Sequence, residues 1–172
     1  MYMPLPLGHA AIGLTVYDLY SGNDSYFKRI SLILFVSILA NLPDIDTVLG
    51  LLLQGDGNAL HRGVTHSIFF SVFAGYCCSK IWNLWSKAPR LSFQLCFFII
   101  FSHVVSDFLF TKYPVCFFWP FDNIVLGDAS SWSDFANTLI FKSIDDLIII
   151  SVCLLIILTN RMIRTFFSIT KI

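Results

Sequence analysis

The chain has 172 residues, 56% of them hydrophobic and only 13% charged, with eleven Lys and Arg against eleven acids and a mean hydropathy of +0.76. Soluble domains carry about 25% charged residues, and one of this size has too little interior to hide so much apolar side chain. These figures argue against a cytosolic enzyme, a disordered chain or a coiled coil. With no basic excess to attract phosphates, they also argue against a nucleic-acid partner. What they favour is an all-α polytopic membrane bundle, read here as one domain over residues 1–172.

The chain opens on Met3-Pro4-Leu5-Pro6, and a short apolar stretch, residues 8–19, follows. At 1.5 Å per residue that stretch is too short to cross about 30 Å of hydrocarbon, so it reads as a half-inserted or interfacial helix. No basic residue precedes Lys28, so a signal peptide is not expected. Residues 30–53 are long enough to span, but Asn41-Leu42-Pro43-Asp44-Ile45-Asp46 interrupts them. Pro43 cannot continue a helix and suits the first turn of a new one, so a broken helix is expected there. Backbone breaks at membrane depth occur where they line a cavity.

Residues 64–85 and 91–110 are the second and third expected spans. Residues 113–142 form a loop rich in Trp, Pro, Gly and Asp, and residues 141–159 form a fourth span. At its start, Lys142 is spaced to meet Asp145 and Asp146 at i+3 and i+4, which reads as a salt-bridged helix start. Seven basic residues (Lys28, Arg29, Lys87, Arg90, Arg161, Arg164 and Lys171) fall on one side, against Arg62, Lys112 and Lys142 on the other. The positive-inside rule places the larger group in the cytoplasm.

All eleven acids are Asp, so an HExxH metalloprotease helix is excluded. The five cysteines are odd in number, lack a CxxC and read as small hydrophobes, with no metal or disulfide assigned to them. The four histidines are more informative. On the four-span reading, His103 and Asp107 lie about 18 and 24 Å into an outward-running span. Asp44 and Asp46 lie about 21 and 24 Å into another. His61, His66 and His9 fall at the same outer level. His103 and Asp107 share a helix face at i, i+4, while His61 and His66 flank an Arg62-Gly63 turn.

Each of these residues has an ordinary explanation alone. His9 fits a surface residue, Asp44 a helix cap, Arg62 a headgroup anchor, and His103 with Asp107 an interhelical hydrogen bond. Together they are costly, because an Asp in hydrocarbon costs about 2.5–3.5 kcal/mol. A divalent cation compensates that cost, and imidazole with carboxylate suits Zn²⁺ or Mn²⁺. No GxSxG, GxxxxGK or GxGxxG motif offers another chemistry.

His9-Ala10-Ala11-Ile12-Gly13, Leu42-Pro43-Asp44-Ile45-Asp46, His61-Arg62-Gly63-Val64-Thr65-His66-Ser67, Ser102-His103-Val104-Val105-Ser106-Asp107 and Trp119-Pro120-Phe121 occur in that order. Together these blocks resemble the YdjM-type family of membrane-bound metal-dependent hydrolases, over about residues 3–160. Lys112-Tyr113 departs from the family, in which a Gly is common at that place.

The resemblance implies a multi-pass inner-membrane protein of prokaryotic type and a metal-dependent hydrolase similar to zinc-dependent phospholipases C. On that basis His9, Asp44, Asp46, His61, His66, His103 and Asp107 are the candidate ligands. Zn²⁺ is the first choice of metal, with Mn²⁺ or Mg²⁺ as alternatives, and two ions are favoured over one because seven ligands exceed one open zinc site. Asp46, His66 and Arg62 are the candidate catalytic residues, Arg62 as a bidentate phosphate donor. Thr65 and Ser67 are candidate donors to the ligands. The expected partners are membrane lipids, with a phospholipid as substrate, and the site faces the non-cytoplasmic side. The competing readings are a cation transporter or channel using the same cluster, and a scaffold with a structural metal.

Overall fold

A computed structural model describes residues 5–21, 30–86, 88–110, 115–121 and 143–169, and among them the only regular structure is helical. The helices are α1 (Pro6–Ser21), α2 (Ile30–Ala40), α3 (Ile45–Gln54), α4 (Ile68–Ser79), α5 (Ile81–Leu84), α6 (Phe93–Phe110) and α7 (Ser143–Ile169).

The break expected at Pro43 is present. Pro43 has no N–H to give the carbonyl of Leu39, so the α2 ladder stops at Ala40. The chain tightens into a 3-10 turn, Leu42–Asp44, in which the Asp44 N–H turns to Asn41 O at 3.2 Å. It then resumes as α3, bent by 57° from α2. Asn41 ties the corner to the start of α1, its Nδ2 donating to Pro6 O at 3.0 Å and to Ser37 O at 2.8 Å. Gly55 ends α3 in the left-handed conformation, φ 71°, with its N–H on Leu51 O.

Among the described residues four full spans are not found. By length and composition, α6 and residues 146–167 of α7 are able to cross a membrane, and the bent α2–α3 pair makes a third span if it counts as one. The expected span over 64–85 is shorter than its apolar run. Val64–His66 forms a 3-10 turn, and Ser67 is extended and caps α4 by accepting from Phe70 N–H at 3.0 Å. At the other end Lys80 stops the helix, and α5 adds a single turn. The last helix is longer than its apolar core, running on to Ile169.

The core lies between α1, α2 and α6. Val36, Leu39 and Ala40 pack against Leu95, Ile99 and Ile100. Gly13 allows this approach, since a Cβ there would stand 2.6 Å from the Cβ of Ala40. α4 packs on the other side of α6, and α7 lies along α1. Only 17% of the apolar window of α7 is buried, so its remaining face needs hydrocarbon around it.

α1 and α7 run in the same direction, because two aspartates tie both ends. Asp146, at the start of α7, accepts from the Leu5 and Gly8 N–H groups at 2.8 and 2.9 Å, capping α1. At the far end, Asp18 of α1 accepts from Asn160 Nδ2 at 2.7 Å and from Arg161 Nε and NH2 at 3.0 Å each. Arg164 donates to the Asp18 and Leu19 carbonyls that α1 leaves open. Asp146 is therefore a cap for α1, a role that the salt-bridge reading of the 142–146 spacing does not predict. Lys142, the partner that reading requires, lies outside the described residues, as do Lys112-Tyr113 and most of the 113–142 loop.

Candidate metal centre

The α2 break builds the first part of the site. With the ladder stopped, Ala40 O has no helical partner, and it accepts from His103 Nδ1 on α6 at 2.8 Å. That bond places the proton on Nδ1, so neutral His103 carries its lone pair on Nε2.

His66 is set the same way by another group. Its Nδ1 lies 3.1 Å from Asp46 Oδ2, and its other near neighbour, the Thr65 hydroxyl, already donates to that same oxygen. A carboxylate only accepts, so Nδ1 donates and Nε2 is left with the lone pair. Asp46 is heavily used. His61 Nδ1 bonds Oδ1 at 3.0 Å and Thr47 Oγ1 reaches it at 3.4 Å, while the Arg62 N–H and Thr65 Oγ1 join His66 on Oδ2. Five donors on a group with about four lone-pair sites leave little capacity for anything else.

Arg62 has φ 64°, the left-handed region. For a residue with a Cβ this costs about 1–2 kcal/mol. The turn keeps it because it delivers both the Arg62 N–H and the Thr65 hydroxyl to Asp46. Further on, Cys116 N–H bonds Arg62 O at 3.2 Å and Ile68 N–H bonds Phe117 O at 3.0 Å, so the 115–121 segment braces the turn.

Four acceptor atoms meet at one point. His66 Nε2 and His103 Nε2 are 3.3 Å apart. Asp44 Oδ1 lies 3.3 Å from His103 Nε2 and 3.6 Å from His66 Nε2. Asp107 Oδ2 lies 3.4 Å from His66 Nε2 and 4.0 Å from His103 Nε2. A tetrahedron with metal–ligand bonds of about 2.0–2.1 Å has edges of about 3.3 Å. The five separations run from that edge length upward to 4.0 Å, and all four ligand atoms lie within 4.8 Å of one another, so the four residues are placed to surround a divalent ion. Lone pairs aimed at one another are repulsive without a cation or protons between them. Three carboxylates against the buried Arg62 also leave an excess of negative charge, which a divalent ion neutralises.

The seven candidate ligands are all brought together, but in unequal roles. Asp44, His66, His103 and Asp107 form one group whose ligand atoms lie within 4.8 Å of one another, and Asp46, His61 and His66 form a second. The groups share His66. Because the Nδ1 of His66 and that of His61 are both spent on Asp46, the second group has the geometry of a support that orients His66. His9 stands behind the first group. Its ring stacks on His103 at 3.7 Å, its Nε2 faces Asp107 Oδ1 at 3.4 Å, and its Nδ1 lies 3.1 Å from Ser106 Oγ. The Ser106 hydroxyl donates to His103 O at 2.8 Å, so His9 donates to Ser106.

Arg62 is buried with its Nε 3.8 Å from Asp107 Oδ2. Thr65 is a donor to Asp46 as expected, whereas Ser67 spends its hydroxyl on Val64 O and the α4 cap. Sequence reasoning missed Thr47, Asp18 and the Ala40 carbonyl. The carbonyl had only a general signal, since a break at Pro43 leaves acceptors open at the end of α2, Ala40 O among them once the Asp44 N–H turns to Asn41 O; Thr47 had none.

No curated protein and no solved structure matches the chain. The family model described as YdjM inner membrane protein matches residues 3–170. Its span takes in every residue of the cluster, and the chain belongs to the YdjM inner membrane protein family.

Proposed function

We infer that the protein is a membrane-bound metal-dependent hydrolase acting on a phosphoester, with a phospholipid as the substrate class. The observation that carries this reading is the convergence of four acceptor atoms, from Asp44, His66, His103 and Asp107, within 4.8 Å of one another. Imidazole and carboxylate oxygens suit zinc first, and manganese or magnesium less well. The saturation of Asp46 favours one ion over two. A divalent ion held there supplies Lewis acidity, which lowers the pKa of water and offsets charge developing on a phosphoryl group.

The chain's own residues do the rest. Asp46 holds the His66 ring with Nε2 toward the centre, and the Ala40 carbonyl does the same for His103. Arg62, beside Asp107, is the candidate donor to a phosphoryl oxygen. Asp44 is the most exposed ligand, its side chain 29% accessible against 0% for Asp107, so it marks the open side. The basic Arg161 and Arg164 lie at the opposite end of the α1–α7 pair from the Asp146 cap that adjoins His9. Under the positive-inside rule this supports a site facing the non-cytoplasmic side.

The test is metal analysis of the purified protein followed by phospholipid hydrolysis, with His66→Ala and Asp46→Ala as controls. The expected result is about one zinc per chain, with turnover lost in both variants. Metal flux into liposomes without hydrolysis would support a transporter instead, and bound metal with neither activity would leave a scaffold.

A further inference from the structure

The polarity of α3 is inverted. Ile45, Val48, Leu49, Leu52 and Leu53 follow one another at i, i+3, i+4, i+7 and i+8, and all five are between 42% and 73% exposed. At about 100° per residue they cover an arc of about 140°. The opposite arc holds Asp46, 3% exposed and engaged by its donors, and Thr47, whose Oγ1 lies 2.9 Å from His61 Nδ1. Gly50 completes that arc. A Cβ there would stand 2.5 Å from Asp56 O, so the returning chain lies directly against this face. Asp46 is the one ionisable residue between Ile45 and Gln54, and it is buried.

A surface helix in water turns its charged side chains outward and its apolar ones to the core. α3 does the reverse, so the medium around it is apolar. For a chain of the YdjM inner membrane protein family that medium is the bilayer. The ten residues of α3 rise about 15 Å. Because α3 is bent by 57° from α2, only about 8 Å of that rise advances along the α2 direction, which is well inside one leaflet of a core of about 30 Å. At its far end Gly55 stops the helix in a polar turn, Gln54-Gly55-Asp56-Gly57-Asn58. The turn satisfies part of its own backbone, with Asn58 N–H on Asp56 Oδ1 at 2.9 Å and Ala59 N–H on Asp56 O at 3.2 Å.

We propose that α3 is a lipid-contact element, its apolar arc lying among the acyl chains of the leaflet that holds the metal centre and its polar turn reaching the headgroups. Asp44 caps this helix and stands one turn before Val48, so the open side of the centre borders lipid. A partner helix packed on α3 would cover a seam of a and d positions, which is narrower than this arc. Acyl chains cover all of it. The contact does not depend on catalysis and holds for an enzyme, a transporter or a scaffold alike.

The test places the photo-crosslinker p-benzoylphenylalanine at Leu49, Leu52 or Leu53 in turn. The full chain is reconstituted into liposomes of dioleoyl phosphatidylethanolamine and dioleoyl phosphatidylglycerol. Leu155, 65% exposed on the long apolar helix α7, is the reference position. After irradiation, mass spectrometry counts adducts on acyl carbons, on headgroups and between chains. Thermal melts check that the variants fold, and three positions keep the test open if one does not. Acyl adducts from α3 should reach at least about a third of the yield at Leu155. A smaller yield from α3 overturns the proposal, since the arc then faces water. Chain-to-chain adducts as the main product at α3 overturn it in favour of a second copy of the protein.

Discussion

Asp46 sits at the centre of the site's order without standing among the four converging atoms, and this decides what its substitution does. Asp46→Asn replaces one acceptor oxygen with a donor facing donors, so His66 loses its orientation. Zinc affinity is expected to fall about 10–100-fold, as read by competition with a chromophoric chelator, while His66→Ala removes a ligand outright and falls further. Protons compete with metal for the Nε2 lone pairs of His66 and His103. Zinc retention should therefore be full at about pH 8 and decline toward about pH 5, with the loss reversed on raising the pH again. Zinc retained unchanged at the acid end would mean that these rings are not ligands. The cluster was legible in the sequence because its residue types are scarce. Four histidines in an apolar chain without Glu leave few ways to place a metal. Its division of labour was not legible, since it depends on which ring nitrogen faces which oxygen.

At the level of the helices, the break at Pro43 was readable because a missing N–H is a property of one residue. The number of spans was not. Residues 64–85 are apolar enough to suggest a crossing, but the turn that aims His66 and the Ser67 cap consume the start of that run. The α1 cap was hidden for a different reason. Asp146 bonds backbone N–H groups, and these leave no pattern in the side chains around position 5. Asp146→Ala should destabilise the protein by about 0.5–2 kcal/mol, the range for a lost cap, with Asp146→Asn milder because it keeps one acceptor. Gly13→Val drives a branched side chain into Ala40 and should cost about 1–3 kcal/mol. Thermal melts in detergent read both. A Gly13→Val protein as stable as the wild type would mean that α1 and α2 do not approach as described.

For the molecule as a whole, an ion bound at the cluster would join pieces that are far apart in sequence: the corner after α2, the turn before α4 and the end of α6. An ion that binds only the folded form adds about 2.7 kcal/mol at a hundredfold excess over its Kd. Zinc at that level should raise the melting temperature, and a chelator should lower it again. No such shift is expected in His103→Ala. The parallel pairing of α1 with α7 adds a constraint on the order of assembly. His9 is translated near the start, yet the helix that carries it is fastened at both ends by a segment made more than a hundred residues later. The contacts of α1 with α2 and α6, through Asn41, Gly13 and His9, involve only segments made before α7. The fastening of α1 at both ends is thus timed by the arrival of α7, and a ribosome stalled before residue 143 would expose a chain whose first helix lacks both ties to quality-control proteases.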